Sequence, residues 1–172
     1  MRTEEYVMLV DEQDHVVGTM EKIEAHRLGR LHRAISVFVF DGEQRLLLQQ
    51  RALHKYHSPG LWTNTCCTHP RPGETALAAA NRRLGEEMGL KGDLAFAFTF
   101  RYREPFDNGL IEHELDHVFI AQSDQQPIVD PEEVAAFRWL RLADLDREID
   151  DRPETFTAWF KLIYRQVFLY VM

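Results

Sequence analysis

Residues 75–89, T-A-L-A-A-A-N-R-R-L-G-E-E-M-G, are bounded as a helix at both ends, and they sit among runs that read as strand. Thr75 is a natural N-cap, Gly89 supplies a left-handed stop, and Leu77, Ala80, Leu84 and Met88 recur at helical spacing. Before it, Y-V-M-L-V and H-V-V-G-T-M flank the turn-like D-E-Q-D and predict an N-terminal hairpin, followed by a short helical or irregular segment through His26 and His32. S-V-F-V-F and R-L-L-L-Q-Q predict two strands joined by the turn D-G-E-Q, and L-W-T-N-T-C-C reads as extended. After the helix, L-A-F-A-F-T-F-R-Y-R, L-I-E-H-E-L-D-H-V-F-I-A and V-A-A-F-R-W-L predict three more strands, and residues 155–172 a terminal apolar helix. Many strands with few helices favour an α+β or three-layer sheet-and-helix domain over a doubly wound parallel one. With no repeat or linker, residues 1–172 are expected to form a single domain.

A chain of 172 residues, 45% hydrophobic, buries enough apolar surface to fold without staples. Its two cysteines are neighbours, Cys66 and Cys67, and neighbours bridge only through a strained ring, so a reducing, cytoplasmic setting is expected. The opening M-R-T-E-E-Y lacks the order of a secretory leader, and no apolar run approaches the roughly 20 residues of a membrane span. Twenty basic against 28 acidic side chains leave a net charge of −8, which disfavours nucleic acid as a partner. A small anion still binds if cations gather locally or a metal ion supplies the charge.

Several residues stand where a purely structural chain would not put them. Glu86 and Glu87 lie in the last turn of the helix, against its negative end, and require compensation by a bound cation or by Arg82 and Arg83 at helical spacing. On the strand L-I-E-H-E-L-D-H-V-F, alternation turns Glu112 and Glu114 to one face and Ile111, Leu115 and Phe119 to the other. Two adjacent carboxylates repel unless they share a proton or a metal, or are simply solvated. His69 precedes Pro70, which favours extended backbone, so Cys67 and His69 emerge on one side and Cys66 packs on the other as a small apolar residue. His113 and His117 fall opposite the glutamates and are excluded from their cluster.

The segment H-P-R-P-G-E followed by R-R-L-G-E-E-M-G-L resembles the Nudix box, a loop-helix-loop whose glutamates hold magnesium against a diphosphate. Two positions depart from it: Thr68 replaces the leading glycine, and Arg82-Arg83 replaces the arginine-glutamate pair of the hydrolases. Taken with M-E-K-I-E-A-H, L-H-R-A-I-S-V-F, Q-Q-R-A-L-H-K, P-G-L-W-T-N-T-C-C-T-H-P, F-R-Y-R, E-H-E and T-F-T-A-W-F, the chain resembles, over nearly its whole length, the type 1 isopentenyl-diphosphate isomerases, a branch of the Nudix fold. The resemblance implies a three-layer α/β/α sandwich around a mixed sheet, with the hairpin as an N-terminal extension.

It also implies a site. His26, His32, His69, Glu112 and Glu114 would ligate one divalent metal, manganese, magnesium or zinc, with His26 the least secure because its loop to His32 varies in length. Glu87 and the substrate diphosphate would hold Mg²⁺, with Lys22, Arg51, Lys55 and Arg83 as the diphosphate's cations. Cys67 and Glu114 would flank the reacting carbons of a small allylic or homoallylic diphosphate. Trp159, with Tyr102 in support, either presents an aromatic face to developing positive charge or simply packs. No electrophilic carbonyl is implied, so a nucleophilic role for Cys67 lacks support. The rival readings are a Nudix hydrolase of a nucleoside or sugar diphosphate, which wants the full glutamate set, and a structural zinc domain, which wants a thiolate ligand. A monomer or weak homodimer is expected, and the run Phe168, Leu169, Tyr170 and Val171 is expected first to pack in the core.

Overall fold

Strand formers on the central strand bury on both faces, and this decides the architecture. In the computed structural model, which describes residues 5–172, strand β3 (His32–Phe40) sends Ile35, Val37 and Val39 to one apolar cluster and Phe38 and Phe40 to another. Residues 1–4, part of the stretch read above for a leader, lie outside the described residues. β4 (Leu46–Arg51) repeats the pattern, with Leu47 on one side and Leu46 and Leu48 on the other. A sheet buried on both faces needs a helical layer on each. One layer is α2 (Ala76–Met88), whose Ala79, Ala80, Leu84 and Met88 pack on the first cluster. The other holds α3 (Leu142–Asp151) and α4 (Ala158–Val171), with Leu145, Trp159, Phe160, Ile163, Tyr164, Val167 and Phe168 in the second cluster.

The sheet is mixed, with nine strands among the described residues. The hairpin of β1 (Tyr6–Val10) and β2 (Val16–Glu21) forms one edge. The first helix, α1 (Lys22–Leu28), starts at Glu21, whose carboxylate accepts from Ile23 N and Glu24 N, and stops at Gly29 in the left-handed conformation. It carries His26; His32, expected in the same irregular segment, instead opens β3. The extended run at 61–67 is two short strands, β5 (Trp62–Thr63) and β6 (Cys66–Thr68), and these explain a departure from a simple hairpin. β3 and β4 pair only at Phe40 and Leu46, then diverge: β6 pairs with β3 and β5 with β4. β7 (Ala95–Pro105) pairs antiparallel with β8 (Ile111–Gln122), β8 runs parallel to β3, and β9 (Val134–Leu140) lies antiparallel to β4.

Two expectations change. Leu77 faces solvent, 46% exposed, and the buried stripe of α2 runs through Ala79, Ala80, Leu84, Glu87 and Met88. α3 was not anticipated, because it begins at Arg141 with no side-chain cap. The terminal helix does pack in the core through Phe168, while Leu169 and Tyr170 are exposed. No helix among the described residues is long and apolar enough to cross a membrane.

Gly89 is the end of α2 that an L-residue would damage most. Its φ is +62°, and a Cβ there would meet the carbonyl oxygen of Ile128 at 2.6 Å; Gly73, at φ +79°, has nothing within 4 Å of such a Cβ. Gly73→Ala is therefore expected to cost about the 1–2 kcal/mol of the left-handed conformation alone, and Gly89→Ala clearly more. Urea unfolding of the two variants checks the order.

Candidate functional site

The parallel register of β3 and β8 sets His32 opposite Glu114, and β6 delivers His69 to the same carboxylate. His69 Nε2 lies 2.9 Å from Glu114 Oε1. His26 and His32 each donate from Nδ1 to a backbone carbonyl, Lys22 O at 2.7 Å and Arg30 O at 2.8 Å. A carbonyl only accepts, so the proton sits on Nδ1 and a bare Nε2 lone pair faces inward. Both Nε2 atoms are buried with no hydrogen-bond partner among the described residues. His32 Nε2 is 3.5 Å from Glu114 Oε1, so two electron-rich atoms face one another. That arrangement fits a cation between them, with outer hydrogen bonds orienting the rings as they do around metals.

Ligand atoms of His26, His32, His69 and Glu114 all lie within 4.8 Å of one another. Glu112 stands slightly apart, grouped with His26 and with His57, whose Nε2 is 3.4 Å from Glu112 Oε1. The Tyr102 hydroxyl is 3.0 Å from Glu112 Oε2 and 2.8 Å from Glu114 Oε2, bridging the pair. Burial and the neighbouring Glu114 charge push Glu112 well above the ordinary carboxylate range. Burial works to raise Glu114 as well, but the His32 and His69 imidazoles beside it, His69 within hydrogen-bond distance, overcome it and hold that carboxyl well below its usual range. Two carboxyls in surroundings this different hold their protons unequally. Burial lowers His26, and it lowers His69 to about 4, so both are neutral and able to ligate.

Cys67, on β6, lines the same cavity. Cys66 is fully buried against α2, while the Cys67 thiol reaches the cavity, as the alternation predicts. Burial and then the Asp116 carboxyl push the Cys67 thiol well up, so it stays protonated at neutral pH. Its sulfur lies 3.2 Å from Asn64 Oδ1 and 3.5 Å from Ser36 Oγ, and Ser36 donates to Asp116 Oδ2 at 2.6 Å. Trp159 is buried at the wall, with the Arg51 guanidinium 5.5 Å from its ring.

A cavity of about 520 Å³ joins these groups to a cationic mouth lined by Lys22, Arg51, Lys55 and Arg83. Arg83 binds Glu87 at 2.7 Å and Glu133 at 2.8 Å, and Lys55 also pairs with Glu133. Glu87 accepts from Gln49 on its other oxygen, and burial raises it despite Arg83. Thus the helix-end glutamates are compensated by arginine pairing: Glu86 contacts Arg82 and Arg83 at 3.3 and 3.1 Å. Glu74 clamps Arg82 with both oxygens and accepts from Arg71 N, which fixes the loop before α2. Lys22 is held by Glu5 at 2.7 Å and lies 5.0 Å from the Tyr56 ring.

Sequence reasoning missed His57, Asp116 and Glu133. Asp116 had a signal, since it shares the strand face of Glu112 and Glu114; His57 and Glu133 arrive from loops with none. His113 and His117 lie off the cluster as expected, contacting Gly29 O and Asp14.

The NUDIX domain family matches residues 30–160. The chain is 53% identical over 161 residues to the isopentenyl-diphosphate Delta-isomerase of Pectobacterium atrosepticum, covering 94% of this chain and 90% of that one. It is 49% identical over 169 residues to a protein of the same name from Burkholderia multivorans, covering 98% and 96%. Among solved structures, a Deinococcus radiodurans protein superposes with a TM-score of 0.78 at 24% identity, over 94% of this chain and 98% of that one. A MutT protein of Methanosarcina mazei gives 0.65 at 16% identity, over 79% and 91%. At such identities the structures establish the fold alone.

If the imidazoles form a metal cage, Mn²⁺ affinity separates the two faces of β8. His69→Ala is expected to weaken binding beyond the roughly 10–100-fold that loss of an outer-shell partner costs. His113→Ala is expected to leave it within about twofold, since that ring bonds Gly29 O away from the cluster. Titration followed by electron paramagnetic resonance of free Mn²⁺ measures both.

Proposed function

Because this chain belongs to the NUDIX family and, within it, to the isopentenyl-diphosphate isomerases, we propose that it interconverts isopentenyl and dimethylallyl diphosphate by moving protons at two carbons of a five-carbon tail. The observation that carries this reading is the pairing, in one cavity, of a protonated thiol at Cys67 with the Glu112–Tyr102–Glu114 set. An isolated alkene is a very poor base, so its protonation needs a positioned acid, a base at the neighbouring carbon, dry surroundings and electron-rich walls.

The residues divide those tasks. Lys22, Arg51, Lys55 and Arg83 hold the diphosphate at the mouth and leave the hydrocarbon tail to enter the buried end. Cys67 presents its proton on one flank. On the other, Tyr102 bridges the Glu112 and Glu114 carboxyls, and Glu114 gives or receives the second proton. Each turnover adds a proton from one flank and removes one to the other. Trp159 walls the tail, and a desolvated cation against such a ring gains about 2 kcal/mol or more.

A divalent ion held by His26, His32, His69, Glu112 and Glu114 would relieve the repulsion of the paired carboxylates and lock their orientation, and the nitrogen and oxygen donors suit manganese, magnesium or zinc. Glu87 would share Mg²⁺ with the diphosphate. The bare Nε2 atoms of His26 and His32 are the feature of this chain that fits the first of these ions. The acting unit is one cytoplasmic domain of residues 1–172, working on a small diphosphate as a monomer or weak homodimer.

The hydrolase reading finds less support. The position where hydrolases carry a metal-binding glutamate is Arg83, engaged with Glu86, Glu87 and Glu133. The structural-zinc reading wants a thiolate ligand, and neither cysteine belongs to the His/Glu group.

Incubation with isopentenyl diphosphate in deuterated water tests the proposal. Deuterium in the dimethylallyl product is expected, with Cys67→Ala and Glu114→Gln each losing roughly 10²–10⁴-fold in turnover at unchanged circular dichroism. Release of phosphate without isomer exchange, or near-full turnover in either variant, contradicts it.

A further inference from the structure

Asn64 is buried to 0% exposure between the diverging strands β3 and β4, and every polar atom of its side chain is engaged. Its Nδ2 donates to Val37 O at 3.1 Å and to Cys66 O at 2.8 Å. Those two carbonyls fix the amide's orientation, because a flipped amide would point oxygen at oxygen. Oδ1 must therefore face the opposite way. There it accepts from three donors: Thr63 Oγ1 at 2.9 Å, Cys67 Sγ at 3.2 Å and Trp159 Nε1 at 3.3 Å.

We propose that Asn64 is a positioning residue for the isomerisation, one carbonyl oxygen setting both the Cys67 thiol and the Trp159 ring against the substrate's hydrocarbon tail. This rests on the function proposed above. Donor strength ranks the three contacts. A hydroxyl and an indole N–H are ordinary donors, whereas S–H is a weak one. Three donors compete for one oxygen with two lone pairs, so the thiol is the loosely held member. Asn64 thus keeps the ring firmly in place and the sulfur in one rotamer, while leaving the thiol proton free to turn toward a reacting carbon. Ser36 completes the bracket. Its hydrogen is committed to Asp116, so it faces the sulfur as a second acceptor at 3.5 Å.

The oxygen is itself held from α4. Thr157, at the start of that helix, donates to Thr63 Oγ1 at 2.8 Å, and Thr157 N bonds Trp62 O at 3.0 Å. One line of hydrogen bonds therefore runs from the helix carrying Trp159, through Thr63, to the amide that holds Cys67. The segments T-N-T-C-C and T-F-T-A-W-F, distant in sequence, meet at a single atom. An aspartate at 64 would set a carboxylate oxygen against Val37 O and Cys66 O, and a glutamine would overfill a fully buried slot.

The test uses Asn64→Ser, Thr63→Val and Thr63→Ser. Each is assayed for kcat and KM on isopentenyl diphosphate and for the rate of iodoacetamide alkylation of Cys67 in the absence of substrate, with thermal unfolding as the control for folding. Asn64→Ser and Thr63→Val are expected to lower kcat by about 10–100-fold with KM within about twofold, the signature of a misplaced group rather than lost binding. Alkylation of Cys67 is expected to change several-fold in both, and Thr63→Ser, which keeps the hydroxyl, to restore wild-type values of both quantities. A role confined to stability would lower the unfolding temperature while leaving kcat per folded enzyme and the alkylation rate as in wild type, and that result overturns the proposal. So does failure of Thr63→Ser to rescue. Should Asn64→Ser not fold, the two Thr63 variants decide the matter. If the wild-type chain does not isomerise the substrate, the proposed function fails, and the alkylation comparison still decides whether Asn64 sets the thiol.

Discussion

The parallel pairing of β3 with β8 is the constraint on which the site depends. It brings His32 against Glu114 at the buried end of the cavity, where two electron-rich atoms face one another at 3.5 Å. Carboxylates and bare imidazole nitrogens are costly when buried unless something satisfies them. Here the satisfaction is partial: His69 and Tyr102 bond Glu114, while the Nε2 atoms of His26 and His32 have no hydrogen-bond partner among the described residues. A buried polar cluster inside an otherwise apolar sheet is the kind of local departure that functional sites carry.

The second constraint is the early divergence of β3 and β4. Strands that separate leave backbone groups without ladder partners, and the T-N-T triplet supplies them from side chains. Thr65 Oγ1 takes Val39 N and gives to Leu47 O, Gln49 Nε2 gives to Thr65 O, and Asn64 gives to Val37 O. The wedge so formed carries Cys67 into the cavity. The cavity-lining thiol and the structural repair thus share one short segment.

Local rules made much of this legible. Alternation separated Glu112 and Glu114 from His113 and His117, and Cys67 from Cys66, because side-chain direction in a strand depends only on parity. Caps marked α2, since Thr75 and Gly89 act on their own backbone. What stayed hidden depends on chain segments meeting from far apart. His57 reaches Glu112 from a loop 55 residues away in sequence, Glu133 reaches Arg83 across 50, and the Asn64 oxygen meets Trp159 across 95. α3 escaped notice because no capping side chain announces it. Leu77 misled because its spacing fits the apolar stripe although its side chain is exposed and the neighbouring Ala76 packs on the cluster instead.

Anomalous diffraction from crystals grown with Mn²⁺ addresses the central claim most directly, that the imidazoles and carboxylates of α1, β3, β8 and the residue after β6 form one cation cage beside a thiol that is not part of it. The account predicts an anomalous peak about 2.0–2.3 Å from Nε2 of His26, His32 and His69 and from a Glu114 oxygen, with the Cys67 sulfur outside coordination distance. A peak ligated by Cys67, or none among these three imidazoles at saturating metal, would contradict it.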